Sequence, residues 1–208
     1  MIELFTADTP NGKKISIMLE EIGFDYKVTK VDISKDEQFK PEFVKLSPFS
    51  KIPVIIDHDK KISLFESGAI LIYLGEKSGK FYNNDQRTII NQWLMGQMAY
   101  VGPMLGQHHQ FHHYNPGKSE FGEKRYFKIS ERIYKELDER LLKSEFLAGK
   151  DYTIADIATF PWIARHEWHD IGLKKFKGLA RWYQEISKRE AVQRGYDLLN
   201  NGDKIPKP

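Results

Sequence analysis

Two short segments, separated by a fixed interval, hold the residues best suited to binding chemistry. Ile52-Pro53 begins one apolar run, and Glu66-Ser67 follows a second apolar run across a polar turn. X-Pro bonds adopt the cis isomer at low cost, and a cis proline usually marks a tight turn where backbone groups face outward. We therefore predict a cis Ile52-Pro53 bond whose backbone can pair with a peptide, beside a helix start where Ser67 can meet a carboxylate.

The loop after the first predicted strand is a second polar segment. It reads Thr-Ala-Asp-Thr-Pro-Asn-Gly-Lys-Lys over residues 6–14. Pro10 restricts Thr9 to an extended backbone, and Asn11 stands at the mouth of the helix that follows. Thr9 and Asn11 are therefore the candidate polar groups near this helix start. The alternative interpretation of Asn11-Gly12 is a plain turn.

The absence of cysteine restricts the chemistry of this chain. None of the 208 residues is a cysteine, so a disulfide framework, a thiolate metal site and a cysteine nucleophile are all excluded within it. Any thiol chemistry must use the sulfur of a bound small molecule.

Composition and charge exclude several classes of partner. Apolar residues make up 40% and charged residues 29%, which is typical of a soluble globular protein. The formal net charge of +3 is too small to indicate nucleic-acid binding. No apolar run approaches the roughly 20 residues that span a bilayer, and the first residues have no features of a signal peptide. We therefore predict a cytoplasmic protein that binds neither nucleic acid nor membrane.

Hydrophobic patterning predicts a mixed domain over residues 1–80. The predicted order is β-α-β-α-β-β-α, and the opening strand-helix-strand unit implies a parallel pair with a right-handed crossover. This is the thioredoxin-like topology. The predicted elements are strands Ile2–Phe5 and Tyr26–Val31, a helix over Lys13–Ile22 closed by Gly23, a short helical piece over Asp36–Phe43, the two apolar runs above, Ile52–Ile56 and Ile62–Phe65, as strands, and the helix opened by Glu66.

After the polar stretch of residues 81–85, the pattern predicts an all-helical domain over residues 86–208. A long helix capped by Asp85 should extend to about Tyr114, with its inward face formed by Ile89, Trp93, Met98 and Val101. Two more amphipathic helices are predicted over residues 126–141 and 176–186. Thr153-Ile-Ala-Asp156 reads as a capping box with Asp in the last place, which is a structural rather than a catalytic motif.

Four histidines, at positions 108, 109, 112 and 113, have a spacing that can ligate zinc on a helix. No carboxylate or cysteine lies close enough in the sequence to complete a site. We therefore predict no metal, and interpret these rings as lining a cleft or a dimer surface.

The motifs, in this order, resemble the glutathione transferase family. Ile52-Pro53 together with Glu66-Ser67 matches the family's glutathione-binding domain. The Phe-Leu-Ala-Gly stretch of residues 146–149 before the Thr153 cap matches its helical domain. The resemblance spans nearly the whole chain. It implies the glutathione transferase fold, glutathione as substrate or co-substrate, and a homodimer.

The Thr-Pro-Asn-Gly-Lys run of residues 9–13 is similar to the bacterial nu-class disulfide-bond oxidoreductases and their fungal nitrogen-regulator relatives. These enzymes lack a catalytic cysteine or tyrosine and hold two glutathione molecules as a dithiol–disulfide couple. The resemblance implies that Thr9 and Asn11 are catalytic and lie near the sulfurs. It also implies a glutathione-binding set of Thr9, Asn11, Gln38, Lys51, Ile52, Glu66, Ser67 and Arg132.

Three functional hypotheses follow. The leading one is glutathione-dependent reduction of small disulfides by two bound glutathione molecules, with weak transfer of glutathione to electrophiles. The alternatives are a conventional glutathione-conjugating transferase and a non-catalytic glutathione-binding regulatory protein on the same fold.

Overall fold

The structure, a computed structural model, describes residues 1–208 and separates them into two units. The first unit comprises Met1–Tyr82 and Arg189–Lys204, and the second comprises Asn83–Lys188 and Ile205–Pro208. The sequence assigned residues 1–80 and 86–208 to the two domains. The structure differs in one respect, because residues 189–204 pack within the first unit.

A four-stranded sheet in the order β2-β1-β3-β4 forms the centre of the first unit. β1 and β2 pair in parallel, whereas β3 is antiparallel to both β1 and β4. This arrangement confirms the predicted thioredoxin-like topology. The strands are β1 (Ile2–Thr6), β2 (Tyr26–Lys30), β3 (Val54–Asp57) and β4 (Ile62–Phe65).

Strand direction and register bring distant segments to one end of this sheet. Phe5 pairs with Val54, and Val54 pairs with Phe65. The carboxyl ends of β1, β2 and β4 therefore lie beside the amino end of β3. We call this end the loop edge, and define it by the four segments that leave the sheet there: residues 7–11, 31–38, 51–52 and 66–67.

Three helices of the first unit precede residue 80: α1 (Pro10–Ile22), α2 (Pro41–Val44) and α3 (Ser67–Ser78). α1 begins three residues earlier than predicted, because Thr9 caps it and proline is favoured at the first helical position. Gly23 ends α1 in the left-handed conformation, with φ 75°, as predicted. The helical piece predicted over residues 36–43 consists of a 3₁₀ turn, Glu37–Phe39, followed by α2.

The second unit is helical: α4 (Arg87–Gly96), α5 (Gly102–His108), α6 (Glu120–Leu141), α7 (Ile154–Ile163) and α8 (Lys177–Ser187). The long helix predicted up to Tyr114 contains two π-helical segments, residues 97–101 and 109–114. Its start also differs, since Gln86 rather than Asp85 occupies the N-cap of α4. Ile90 and Leu94 are fully buried, whereas the predicted inward residues Ile89 and Trp93 are half-buried. None of the helices is both long enough and apolar enough to cross a membrane.

The capping box at the start of α7 is confirmed. The Thr153 hydroxyl accepts a hydrogen bond from Ala155 N–H, and the Asp156 carboxylate accepts one from Thr153 N–H at 3.0 Å. Every residue of α7 is buried. Asp156 is therefore a structural residue inside the core of the second unit.

The last helix, α9 (Glu190–Tyr196), packs against α1 inside the first unit. A Cβ on Gly195 would lie 2.5 Å from Ile17 Cα, so only glycine allows the two helices to approach this closely. The buried Lys13 ammonium donates to the Tyr196 carbonyl and pairs with Asp203 at 3.1 Å. Residues 189–204 thus cover a face of α1 that would otherwise be exposed to solvent.

Candidate functional site

The Thr9 hydroxyl caps α1 at the loop edge. The Thr9 backbone is extended, as predicted, and the hydroxyl oxygen accepts a hydrogen bond from Gly12 N–H at 3.1 Å. A threonine hydroxyl has two acceptor lone pairs and one proton. After capping α1, Thr9 therefore still has a proton to donate to an anion placed at this helix start.

The position of Asn11 is fixed by the glycine that follows it. A Cβ on Gly12 would lie 2.4 Å from both the Ala7 carbonyl oxygen and the Thr6 hydroxyl. The first turn of α1 therefore presses directly on the end of β1, and half-buried Asn11 lies in that turn at the loop edge. Because α1 begins at Pro10, Asn11 and Gly12 are helical residues and do not form a plain turn.

The segment before β3 is held by a buried serine that the sequence patterns did not indicate. Ser47 donates to the Lys51 carbonyl at 2.8 Å and accepts from Lys51 N–H at 3.1 Å. The Ile52-Pro53 bond that follows is cis, which confirms the prediction. Ile52 precedes the first residue of the β3 ladders, so its backbone groups lie outside the pairing of β3 with β1 and β4.

The start of α3 has an unusual backbone conformation and no side-chain cap from its N-cap residue. Exposed Glu66 has φ 69° and ψ 112°, which is sparsely populated for a residue other than glycine and typical of functional sites. Glu66 occupies the N-cap but provides no side-chain cap. The first N–H groups of α3 therefore have no partner within the helix, and the helix dipole favours an anion there.

Lys14 lies under this helix start and was not predicted. Its side chain is buried, and its Nζ atom is 3.3 Å from the Oγ atom of buried Ser67. Burial lowers the pKa of the Lys14 ammonium to about 7, while the negative charge of Glu66 opposes that shift. An amino group that is about half protonated at pH 7 therefore lies within hydrogen-bonding distance of the predicted carboxylate-binding serine.

Gln38 lies in the first unit, whereas Arg132 lies in the second. Gln38 is half-buried in the 3₁₀ turn after β2, and its Oε1 atom is buried without a hydrogen-bonding partner in the protein. Arg132 lies on the exposed face of α6 in the second unit, where its Nε atom donates to Glu136 at 2.7 Å. Seven of the eight predicted residues lie in the segments that define the loop edge: Thr9, Asn11, Gln38, Lys51, Ile52, Glu66 and Ser67.

Two of the four predicted histidines, His108 and His109, lie in the interior of the second unit, whereas His112 is half-buried and His113 is exposed. His108 and His109 are buried, and the His109 ring stacks on buried His169 with ring centroids 4.6 Å apart. The Tyr134 hydroxyl is 2.7 Å from His169 Nδ1. Burial lowers the pKa of His108 to about 4 and of His109 to about 3, and lowers the pKa of His169 well below its ordinary value. No three His, Asp or Glu side chains are grouped so that they could hold a metal ion.

Two domain profiles match this chain. The glutathione S-transferase N-terminal domain matches residues 2–76, and the glutathione S-transferase C-terminal domain matches residues 100–190.

Two proteins of Escherichia coli strain K12 are similar to the chain over most of its length. The disulfide-bond oxidoreductase YfcG is 42% identical over 210 residues, which cover 98% of this chain and 98% of YfcG. The disulfide-bond oxidoreductase YghU is 37% identical over 216 residues, which cover 93% of this chain and 73% of YghU.

Solved structures with the same fold contain bound ligands. A glutathione transferase from Burkholderia graminis, with two glutathione molecules bound per subunit, superposes with a TM-score of 0.91 at 39% identity, covering 97% of this chain and 89% of that one. A glutathione transferase from Pseudomonas putida, with one glutathione disulfide bound per subunit, superposes with a TM-score of 0.88 at 40% identity, covering 95% of this chain and 91% of that one.

Proposed function

Because the chain belongs to the glutathione S-transferase family, we propose that it uses glutathione to reduce small disulfides. In this proposal two glutathione molecules occupy the site, and transfer of glutathione to electrophiles is weak. The observation that carries the proposal is the start of α1. There the Thr9 hydroxyl, with a proton left to donate, and Asn11 lie beside a helix N-terminus in a chain without cysteine. A homodimeric state stays a prediction.

The loop edge supports a specific orientation of the first glutathione. The γ-glutamyl carboxylate would accept from the first N–H groups of α3 and from the Ser67 hydroxyl, because this helix end favours anions. The γ-glutamyl ammonium would meet exposed Glu66. The cysteinyl part would pair with the backbone of Ile52, which precedes the β3 ladders, in the manner of an added strand. This orientation directs the thiol towards the start of α1.

The remaining predicted residues complete the proposed site. Gln38 offers a buried carbonyl oxygen without a partner, and Lys51 offers an exposed ammonium. Gln38 and Lys51 are proposed to contact the two peptides. Each exposed ionic contact contributes only about 0–1 kcal/mol, so affinity must come from several contacts acting together.

The proposed reaction balances without a protein thiol. The thiolate of one glutathione attacks a sulfur of the substrate disulfide, which forms a mixed disulfide and releases one substrate thiol. The second glutathione attacks the mixed disulfide, which releases the other substrate thiol and leaves glutathione disulfide. A second glutathione already in place makes this second step effectively intramolecular. Thr9, Asn11 and the N-terminus of α1 favour the thiolate, because helix N-termini lower thiol pKa values.

We expect the purified protein to reduce hydroxyethyl disulfide with glutathione, and to conjugate model aromatic electrophiles poorly. Asn11→Ala should slow disulfide reduction roughly tenfold, since it removes a polar group beside the reacting sulfur. Asn83→Ala makes the same change at an exposed position, and Tyr82→Phe removes a hydroxyl near the end of the first unit; both should retain the wild-type rate. Strong conjugation without disulfide reduction would favour the conventional transferase. The absence of both activities would favour a binding protein.

Glutathione affinity should depend on Ser67. Ser67→Ala removes a charge-assisted hydrogen bond worth about 1.5–3 kcal/mol, so the dissociation constant for glutathione should rise roughly tenfold or more. Isothermal titration calorimetry gives both the affinity and the number of glutathione molecules per chain, for which we expect two. The matched control is Ser63→Ala on β4, where the serine is exposed. Equal affinities for the two variants would refute the assigned site.

A further inference from the structure

Lys13 connects the loop before α1 to the segment that follows α9. Its side chain is only 2% exposed, and lysine is almost never buried to this extent unless it is paired. The ammonium pairs with Asp8 at 2.7 Å and with Asp203 at 3.1 Å, and it also donates to the Tyr196 carbonyl. The Tyr196 ring centroid lies 4.0 Å from the same Nζ atom. One buried ammonium therefore joins residues that are far apart in the sequence.

The segment after α9 is folded around the carboxylate of Asp197. This carboxylate accepts hydrogen bonds from the backbone N–H groups of residues 201–203, at 2.8, 3.0 and 3.1 Å. We call residues 197–203 the α9 loop. Leu198 in this loop is buried, and a Cβ on Gly12 would lie 3.2 Å from its Cδ2 atom. The α9 loop therefore packs on the first turn of α1, where the proposed reaction takes place.

Asp8 links this contact to the site, because it directly precedes the residue that caps α1. Thr9 N–H donates to the Ala7 carbonyl at 2.8 Å, so residues 7–9 form a tight turn at the loop edge. The Thr9 hydroxyl and carbonyl then accept from the N–H groups of the first turn of α1. A displacement of Asp8 would therefore change the position of the Thr9 hydroxyl.

We propose that Lys13 is a positioning residue for disulfide reduction: held by Asp203 and the Tyr196 carbonyl, its ammonium fixes Asp8 and thereby the backbone of Thr9. This inference rests on the proposed function, because it assumes that the reacting sulfur lies beside Thr9. Lys13 itself does not touch glutathione. A misplacement of about 1 Å in a group beside the reacting atoms can lower a rate roughly a hundredfold, so a fixed Thr9 has a measurable value.

A second ion pair between the same two parts of the chain supplies a matched control. Glu21, whose side chain is 5% exposed, accepts from Arg189 Nη2 at 2.8 Å. It lies one residue before the end of α1, whereas Lys13 lies in the first turns. A helix rises about 1.5 Å per residue, so the two pairs are ~12 Å apart along α1. Loss of the Glu21 pair should lower stability without moving Thr9.

The experiment removes the two carboxylates on either side of Lys13, in Asp8→Ala and Asp203→Ala. Their side chains are 35% and 32% exposed, so both variants should fold. We expect each to lower kcat for hydroxyethyl disulfide roughly fivefold per folded molecule, because Thr9 is less well fixed. Loss of a carboxylate by itself favours a nearby thiolate, so a purely electrostatic effect would have the opposite sign. Glu21→Gln should keep the wild-type kcat even where its melting temperature falls.

Two further measurements separate positioning from a structural role. The affinity for S-methylglutathione, which has no thiol, should stay within about twofold of wild type in both variants, since the proposed contacts at α3 and Ile52 do not involve the α1 loop. The double variant Asp8→Ala/Asp203→Ala should be no more than about twofold slower than the slower single variant, because both substitutions release the same link through Lys13. Independent effects would multiply to roughly twenty-five-fold.

The outcomes distinguish the two proposals. If wild type neither binds S-methylglutathione nor reduces the disulfide, the proposed function fails and the inference about Lys13 falls with it. If wild type is active but Asp8→Ala or Asp203→Ala keeps its kcat, or Glu21→Gln loses as much, the proposed function stands and the inference is wrong. Multiplicative effects in the double variant would also overturn it, because the two carboxylates would then act separately.

Discussion

Replacement of Asp156 by alanine is expected to lower the free energy of unfolding of the second unit by about 4 kcal/mol or more. One carboxylate oxygen accepts from Leu147 N–H at 2.9 Å and from Trp182 Nε1–H at 2.8 Å, and the other accepts from the backbone and hydroxyl of Thr153, both at 3.0 Å. All of these donors are buried. Each buried donor left without a partner costs about 1–3 kcal/mol, so the effect exceeds that of an ordinary helix cap.

Urea unfolding followed by tryptophan fluorescence at pH 7.5 measures this effect in the right part of the chain. All four tryptophans, at positions 93, 162, 168 and 182, belong to the second unit. The control is Asp151→Ala, which removes an exposed carboxylate that accepts one hydrogen bond from Gln86. A loss below about 1 kcal/mol for Asp156→Ala, comparable to a surface cap, would contradict the network described above.

The second large effect is a loss of stability in mild acid that arises from the buried histidines. Burial lowers the pKa values of His108, His109 and His169, so the folded protein keeps them neutral where the unfolded chain protonates them. Above the ordinary histidine pKa of about 6.5 this difference vanishes. Below pH 6.5 each group costs up to about 1.4 kcal/mol per pH unit until its folded pKa is reached.

Asp156 acts in the opposite direction. Burial raises its pKa to about 6, so below pH 6 the folded state binds this proton more readily than the unfolded state. For these four groups the net difference is about two protons, so they lower stability by roughly 3 kcal/mol per pH unit between pH 6 and 5, and burial of His166, which also lowers its pKa, adds to this fall.

Urea midpoints at pH 7.5, 6.0 and 5.0 test this slope. His109→Phe should reduce the difference in bound protons between the unfolded and folded states by about one. It retains an aromatic ring between Trp162 and His169. The control is His58→Gln, which changes an exposed histidine of the first unit outside this cluster. A slope in His109→Phe as steep as in wild type would show that this ring does not contribute.

The loop edge was predictable because its signals are local in the sequence. A proline before an apolar run indicated the cis bond, and β4 has the bounds that were predicted, Ile62–Phe65. Thr153 and Asp156 were recognisable because a capping box needs only four consecutive residues. The true start of α1 was also encoded locally, by threonine followed by proline, although the apolar pattern alone begins later at Lys13.

The buried charges were not predictable, because they depend on contacts between distant residues. Two consecutive lysines in a helix indicate a solvated surface. Lys14 is buried by a contact with Ser67, 53 positions later, and Lys13 by one with Asp203, 190 positions later. The interior position of His109 likewise depends on the stacking of His169 and Trp162 from other parts of the chain. Sequence periodicity carries no information about such pairs.

The position of residues 189–204 has a consequence for biosynthesis. Domains generally fold as units as they emerge from the ribosome, N-terminal first. Here β1 to α3 are synthesised first, but the face of α1 that α9 covers stays open while all of Asn83–Lys188 is being made. During that interval Lys13 has Asp8 but neither the Tyr196 carbonyl nor Asp203. A nascent chain cut short before Arg189 would present this unfinished face to chaperones and proteases, so only full-length translation completes the first unit.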